Sequence, residues 1–442
     1  MNYTSLVGHI VELCDQIDTL NQPADNLTST FLKARKYLGS HDRRYITSIV
    51  FGILRNRRLI EALLEQYLLE NPSHEFLNEP AKRYLPLIAA HLKVIDKLTD
   101  ECVNEVLSTR WKTTFGHNEL VGYSKWMEGH ADMRFLPDDR HIQLAVKYSF
   151  QDWMIDRLSA EYGGDFESLL QALNTPAKTT LRVNTLKCSR DECVAQLLSE
   201  GIEAEQTRYS PVGIMLPKRF NKDASKAFKE GWFEIQDEGS QIVSLLSGVQ
   251  PGMTVIDACA GTGGKALHLA ELMRNEGELI AIDIDEKRLY ELQTRAKRAG
   301  VTNIRVILKD SLNKEDFLGK ADIVLIDAPC SGSGTIRRNP GLKWRLTESL
   351  ISHYATMQEE ILAFNAPFVR NGGKLFYVTC SLFREENERV MEMFLKAQPE
   401  FSALDLTSEG KKLGVPCEGT FVKLSPHTMK TDGFFVGGME KT

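Results

Sequence analysis

The 442-residue sequence lacks any apolar run of the roughly 18 residues that a membrane-spanning helix needs. Its first residues, Met1-Asn2-Tyr3-Thr4, carry no basic segment leading into an apolar core, so no secretory leader is expected. Repeated Cys-x-x-Cys spacing is absent although there are eight cysteines, which argues against a zinc site and against a disulfide framework. There is no internal repeat and no low-complexity tract. With 42% hydrophobic and 26% charged residues, the chain has ordinary globular usage and room for two or three domains. Free thiols suit a reducing compartment, so a cytoplasmic monomer with no metal and no membrane partner is the expectation.

Acidic residues are scarce in one stretch. Between Phe31 and Arg58 lie Lys33, Arg35, Lys36, Arg43, Arg44, Arg55, Arg57 and Arg58 against Asp42 alone. That segment carries +7 while the remainder of the chain carries −13. A basic field on an acidic protein suits a polyanion. A solvated helix face gives the same count.

The apolar spacing changes along the chain. Up to about residue 147 it is helical, as in Ile46, Ile49, Val50, Ile53 and Leu54, with a break at Asn71-Pro72-Ser73. Asp132 to Arg140 is polar and contains Pro137, a plausible linker. Residues 148–246 mix helical segments with β-prone ones such as Thr179–Thr185, a small α+β segment. From Pro251 onward, strand candidates at 254–259, 278–284, 304–310, 322–327 and 374–380 alternate with helices. Two late strands follow, at 420–424 and 433–436. Such alternation predicts a doubly wound α/β sheet with an antiparallel edge.

The chemistry concentrates at strand ends. Val255–Cys259 runs into Gly261-Thr262-Gly263-Gly264-Lys265 and then a helix. Glycines let a ligand approach the backbone, and a helix N-terminus offers donors. Asp283 closes the next strand 20 residues after Gly263, the place of a ribose-binding acid. Asp310 closes a third strand and is a candidate for the cofactor base. This spacing also fits a nicotinamide-nucleotide fold. Two thiols separate the readings. Asp327-Ala-Pro-Cys330-Ser-Gly-Ser-Gly-Thr335 puts an acid and a thiol after one strand, and Val378-Thr-Cys380-Ser381 puts a thiol after another. A dehydrogenase has no use for that pair. A nucleophilic thiol, an acid and a methyl donor together suit methylation of a pyrimidine at C5, where a thiolate on C6 makes C5 enamine-like.

Asp257–Lys265, Asp327–Thr335 and Val378–Glu388 resemble the RNA cytosine-5 methyltransferases of the Sun/Fmu (RsmB-like) family. Leu181–Thr185 and Phe233–Gln241 resemble the segment that precedes their catalytic domain. The likeness covers roughly residues 150–440. Leu38–Tyr45 and Val50–Arg55 resemble the NusB-like RNA-binding domain of the ribosomal-RNA members. The loop departs from the family in having Gly261-Thr262 where Ala-Pro is usual.

The resemblance implies a helical NusB-like domain at 1–147, an α+β RNA-binding domain at 148–246, and a Rossmann-like methyltransferase domain with a mixed seven-stranded sheet at 247–442. It implies that Cys380 attacks C6, that Cys330 assists release and that Asp327 contacts the base near N3. S-adenosylmethionine is then held by Cys259, Ala260, Gly261, Thr262, Gly263, Gly264, Lys265, Asp283, Arg288, Asp310 and Asp327. Arg337, Arg338, Lys343 and Arg345 are candidate phosphate contacts. Ribosomal RNA, above all that of the small subunit, is the expected substrate. The alternatives are cytosine-5 methylation of transfer RNA or DNA, and a non-catalytic RNA-binding assembly factor.

Overall fold

The computed structural model describes residues 3–20, 22–72, 80–115, 119–130, 132–218, 220–417 and 419–442. It divides into two compact units, one of Met1–Asn174 with Arg338–Arg345 and one of Thr175–Arg337 with Leu346–Thr442. The helices Asp152–Tyr162 and Phe166–Asn174 fall in the first of these units. Ser73, part of the expected break, lies outside the described residues.

In the first unit the 31-residue helix Ser40–Glu70 is the spine. Its apolar positions recur every three to four residues, and Ile46, Ile49, Val50, Ile53, Ile60 and Leu63 are all buried. All but Leu63 join a core with Leu6, Val7 and Ile10 of the first helix and Tyr84, Leu85 and Ile88 of a later one. The spine kinks at Asn56, whose side-chain amide donates to the Gly52 carbonyl at 2.9 Å.

Much of the basic stretch is spent inside this unit. Arg57 forms a two-pronged ion pair with Asp18, at 2.7 and 3.2 Å, and a third bond to Glu61. Arg58 pairs with Asp152 and donates to the Phe150 carbonyl. Arg43 donates to the carbonyls of Leu38 and Arg35, and Arg35 pairs with Glu12. Lys33, Lys36 and Arg44 remain exposed. The run of charges therefore overstates the field offered to a polyanion, because a linear sequence hides which arginines have intramolecular partners.

Lys343 also departs from its expected phosphate-contact role. Its side chain is fully buried, and its ammonium donates to the carbonyls of Arg55 and Tyr148, each at 2.9 Å, and to Asn174 Oδ1. Burial, and then the Arg55 guanidinium, push its pKa well below the ordinary lysine value. Neighbouring Trp344 donates its indole N–H to the Leu54 carbonyl at 2.7 Å.

The second unit contains two sheets. The smaller has strands β1 (Thr179–Val183), β2 (Glu205–Gln206), β3 (Gly213–Leu216) and β4 (Phe233–Ile235), all antiparallel in the order β2-β3-β1-β4. The larger has β5 (Thr254–Asp257), β6 (Glu278–Asp283), β7 (Ile304–Leu308), β8 (Ala321–Asp327), β9 (Val369–Thr379), β10 (Phe401–Ala403), β11 (Phe421–Leu424) and β12 (Phe434–Lys441). Its order is β10-β12-β9-β8-β5-β6-β7, with β11 pairing β12. The strands β5 to β9 are parallel to their neighbours, and β12 runs antiparallel to β9. The sheet is mixed as expected but has eight strands, not seven; β10 is a three-residue edge strand too short to leave a pattern. Strand order reverses beside β5, where open α/β sheets bind ligands beyond the carboxyl ends.

Replacing Lys343 by Ala should take a donor from the Arg55 carbonyl and from Asn174 Oδ1, while the Tyr148 carbonyl keeps the Asn174 amide, at a cost of about 2 kcal/mol. Urea unfolding should show this loss, whereas Arg44→Ala at an exposed position should leave the midpoint unchanged.

Candidate active site

Beyond the ends of β5, β6 and β8 lies a cavity of about 680 Å³. Cys259, Ala260, Gly261, Thr262, Gly264, Lys265, Asp283, Arg288 and Asp327 all line it, as do Asp257, Ile284 and Lys309. Two of the sequence-named cofactor residues do not. Gly263 caps the following helix with φ +88, and a Cβ there would meet Leu292 Cγ at 2.6 Å, so its role is to make the turn. Asp310 sits exposed in a 3₁₀ turn after β7, and its neighbour Lys309 faces the cavity instead.

The glycine loop is fastened from several directions. Asp283 accepts the Gly261 amide at 2.8 Å through one oxygen and the Asp285 amide at 2.9 Å through the other. Each carboxylate oxygen keeps a lone pair for a ribose hydroxyl. Arg295 donates to both the carbonyl and the hydroxyl of Thr262, at 2.8 and 2.9 Å, while Glu234 of β4 braces Arg295 at 3.0 Å and also pairs with Arg298. Arg182 of β1 donates to the Gly264 carbonyl at 2.6 Å and pairs with Glu271 at 2.8 Å, both side chains being buried. Gln236 adds a bond to the same carbonyl at 3.3 Å and accepts from Arg182. Arg182, Glu234 and Gln236, the three residues of the small sheet and its edge among these, were not singled out from the sequence. The available signal was a charged residue inside each apolar strand, Leu181-Arg182-Val183 and Phe233-Glu234-Ile235.

Charges within the cavity are uneven. Asp257 is fully enclosed, and among the described residues neither carboxylate oxygen meets a donor at hydrogen-bonding geometry. Burial, then repulsion from Asp327, raise its pKa to about 7. Lys265 holds Asp327 at 2.6 Å. Burial pulls the Lys265 pKa down, but the charges of Asp327, Cys380 and Asp257 outweigh it, so the ammonium persists. Lys265 is thus the ion partner of the site acid as well as a wall of the cavity. The unpaired Asp257 carboxylate suits the ammonium of a methionyl group, and Asp283 suits a ribose. Gly261, at φ +53 with nothing within 4 Å of where a Cβ would stand, leaves the loop open to close approach. The residues present fit S-adenosylmethionine.

Cys330 and Cys380 meet. Their sulfurs are 3.4 Å apart, and the Cys380 amide donates to the Cys330 sulfur at 3.3 Å. The paired thiol, and then burial, push the Cys330 pKa well above its usual value, so Cys330 holds its proton. Arg337, expected at a phosphate, instead donates to the carbonyls of Lys430 and Thr431.

Arg295→Ala should free Thr262 and raise the Kd for S-adenosylmethionine roughly tenfold, about 1.4 kcal/mol, in a calorimetric titration. Asp257 must lose its proton before it can face a cation. Its raised pKa therefore makes affinity fall as pH drops through 7, by a factor approaching ten per unit at most. Titrations from pH 8 to pH 6 should show that slope, and Asp257→Asn should flatten it.

Comparison with known proteins agrees with this geometry. Residues 244–440 match the family described as 16S rRNA methyltransferase RsmB/F, and residues 150–222 match the RsmF/B-like ferredoxin-like domain. A probable ribosomal RNA small subunit methyltransferase B from Synechocystis is 31% identical, with 91% of this chain and 92% of that protein aligned. A protein of the same description from Bacillus subtilis is 30% identical, with 95% of each chain aligned. The crystal structure of PH0851 superposes with a TM-score of 0.78 at 28% identity, covering 98% of this chain and 97% of that one. A glycine loop fit for S-adenosylmethionine, a thiol pair beside it and matches along nearly the whole length agree: the chain belongs to the RsmB/F family of S-adenosylmethionine-dependent methyltransferases.

Proposed function

We propose that the protein methylates C5 of a cytosine in ribosomal RNA, most naturally that of the small subunit, through a covalent bond between Cys380 and C6. The observation that carries this reading is the 3.4 Å thiol pair beside the cofactor cavity. The names of the relatives supply the ribosomal substrate class. Such a reaction takes place where ribosomes are assembled, in the cytoplasm. The exposed Lys33, Lys36 and Arg44 of the helical, NusB-like unit are the phosphate contacts we assign to it.

The target base leaves its stack to reach the sulfur. We assign the attack to Cys380, whose amide donates to the Cys330 sulfur, and the release to Cys330, whose pKa its paired thiol and then burial push up. As the S–C6 bond forms, the C5–C6 double-bond electrons move toward C5, and Asp327, fixed by Lys265, contacts the base near N3. S-adenosylmethionine, when bound, supplies the methyl group that C5 takes up. Removal of the C5 proton returns an electron pair to the ring and expels the Cys380 thiolate. Cys330 serves this release by passing its proton to the departing Cys380 sulfur and, as the thiolate so formed, taking the C5 proton, which restores its own thiol.

Cys380→Ala should abolish methyl transfer and any RNA-linked protein. Cys330→Ala should still attack and methylate but release slowly, so that an RNA-linked band survives denaturing electrophoresis. The opposite pattern would assign the nucleophile to Cys330. Tritiated-methyl transfer into ribosomal RNA, but not into transfer RNA or DNA, tests the substrate. No transfer to any of them would favour a non-catalytic assembly role.

A further inference from the structure

The thiol separation has an identifiable cause among side chains that the proposed reaction does not use. Glu386 is fully buried. Its Oε1 accepts the amide of Ser331 at 2.7 Å, the residue after Cys330. Its Oε2 accepts the hydroxyl of Ser381 at 2.5 Å, the residue after Cys380. One carboxylate thus binds both cysteine loops, one oxygen to each.

The surroundings hold this carboxylate in place. Gln358, on the helix Glu348–Asn365, donates to Glu386 Oε1 at 3.2 Å and to the Pro329 carbonyl at 2.9 Å. The Tyr377 hydroxyl bonds to Gln358 Oε1 at 2.9 Å and to the Glu386 carbonyl. Ser331 and Ser381 bond to each other at 3.1 Å, and Ser333 accepts the Leu382 amide at 2.8 Å. These links join the loop after β8 to the loop after β9, fix Glu386, or fix the Gln358 amide that holds it.

We infer that Glu386 is a positioning residue that sets the distance between the Cys330 and Cys380 sulfurs by clamping the residue that follows each. This rests on the two-thiol reading above for its catalytic meaning, but the clamp itself can be measured without methylation. Attack and release need different thiols on one base, so their spacing governs how quickly the second follows the first.

The test oxidises the full-length protein with diamide. One S–S bond forms, and the two thiol protons and two electrons pass to the diazene, which becomes a hydrazine. Peptide mapping by mass spectrometry follows the Cys330–Cys380 bond separately from the other cysteines. Glu386→Ala and the isosteric Glu386→Gln should slow this bond by about tenfold or more, since a displacement near 1 Å costs that much or more in proximity-controlled reactions. Their affinity for S-adenosylmethionine should be unchanged. With RNA, kcat should fall while KM holds. Ser381→Ala, which removes one arm, should slow the bond in the same direction. Cross-linking at the wild-type rate in both Glu386 variants would overturn the inference. Loss of cofactor affinity in both would also overturn it, because Glu386 would then support the fold generally. Slowed cross-linking without any cytosine-5 product in the wild type would sink the proposed reaction and leave the clamp standing.

Discussion

The site depends on the parallel register of β8 against β9, in which Asp327 stands opposite Val378 and the Ala328 amide donates to the Val378 carbonyl at 2.9 Å. From that pairing the chain needs three residues to reach Cys330 and two to reach Cys380. A slip of one position would turn successive side chains to the opposite face and separate the sulfurs. On the other flank, β8 pairs with β5, where Asp257 stands opposite Leu325. One strand thus indexes the thiols to one side and the cofactor loop to the other. The backbone register thus brings the two cysteine loops side by side before any side chain is considered.

On this frame, buried charge is used for precision. Arg182 with Glu271, Arg295 with Glu234, and Lys265 with Asp327 each place an ion pair with at least one deeply buried member around the same glycine loop. Such pairs contribute little net stability once desolvation is counted, but breaking one leaves a stranded charge. Their directional bonds fix the loop carbonyls that flank the cavity. Thr262 shows the outcome: its backbone and side chain both bond to Arg295, which restrains a stretch that its Gly261-Thr262 sequence leaves flexible.

The legible part of the sequence was what repeats or breaks a period. Alternating apolar segments gave the α/β sheet, and the glycine loop, Asp283, Asp327, Cys330 and Cys380 all lie at its carboxyl edge because each ends a strand. Partnership was the illegible part. Arg57 and Lys343 read as cationic surface, since the acids and carbonyls that occupy them are distant in the chain; Asp18 is 39 positions from Arg57 and Arg55 is 288 from Lys343. Arg182 lies 89 positions from Glu271. Asp310 was read as closing a strand, but β7 ends at Leu308 and the 3₁₀ turn after it presents Lys309 to the cavity instead. Periodicity reports which face a residue lies on and cannot report which atom it meets.

The eight residues Arg338–Arg345 belong to the helical unit although the chain reaches them directly from the Cys330 segment. A helical domain made by ending the chain at Asn174 would lack the Lys343 ammonium and the Trp344 indole, leaving the carbonyls of Leu54, Arg55 and Tyr148 without those donors. The excised catalytic piece would carry a lysine and a tryptophan shaped for an interior it no longer has. The two units are therefore not interchangeable modules in the genetic sense. A cut between the units at Asn174 calls for a second change far downstream, at the Arg338–Arg345 stretch.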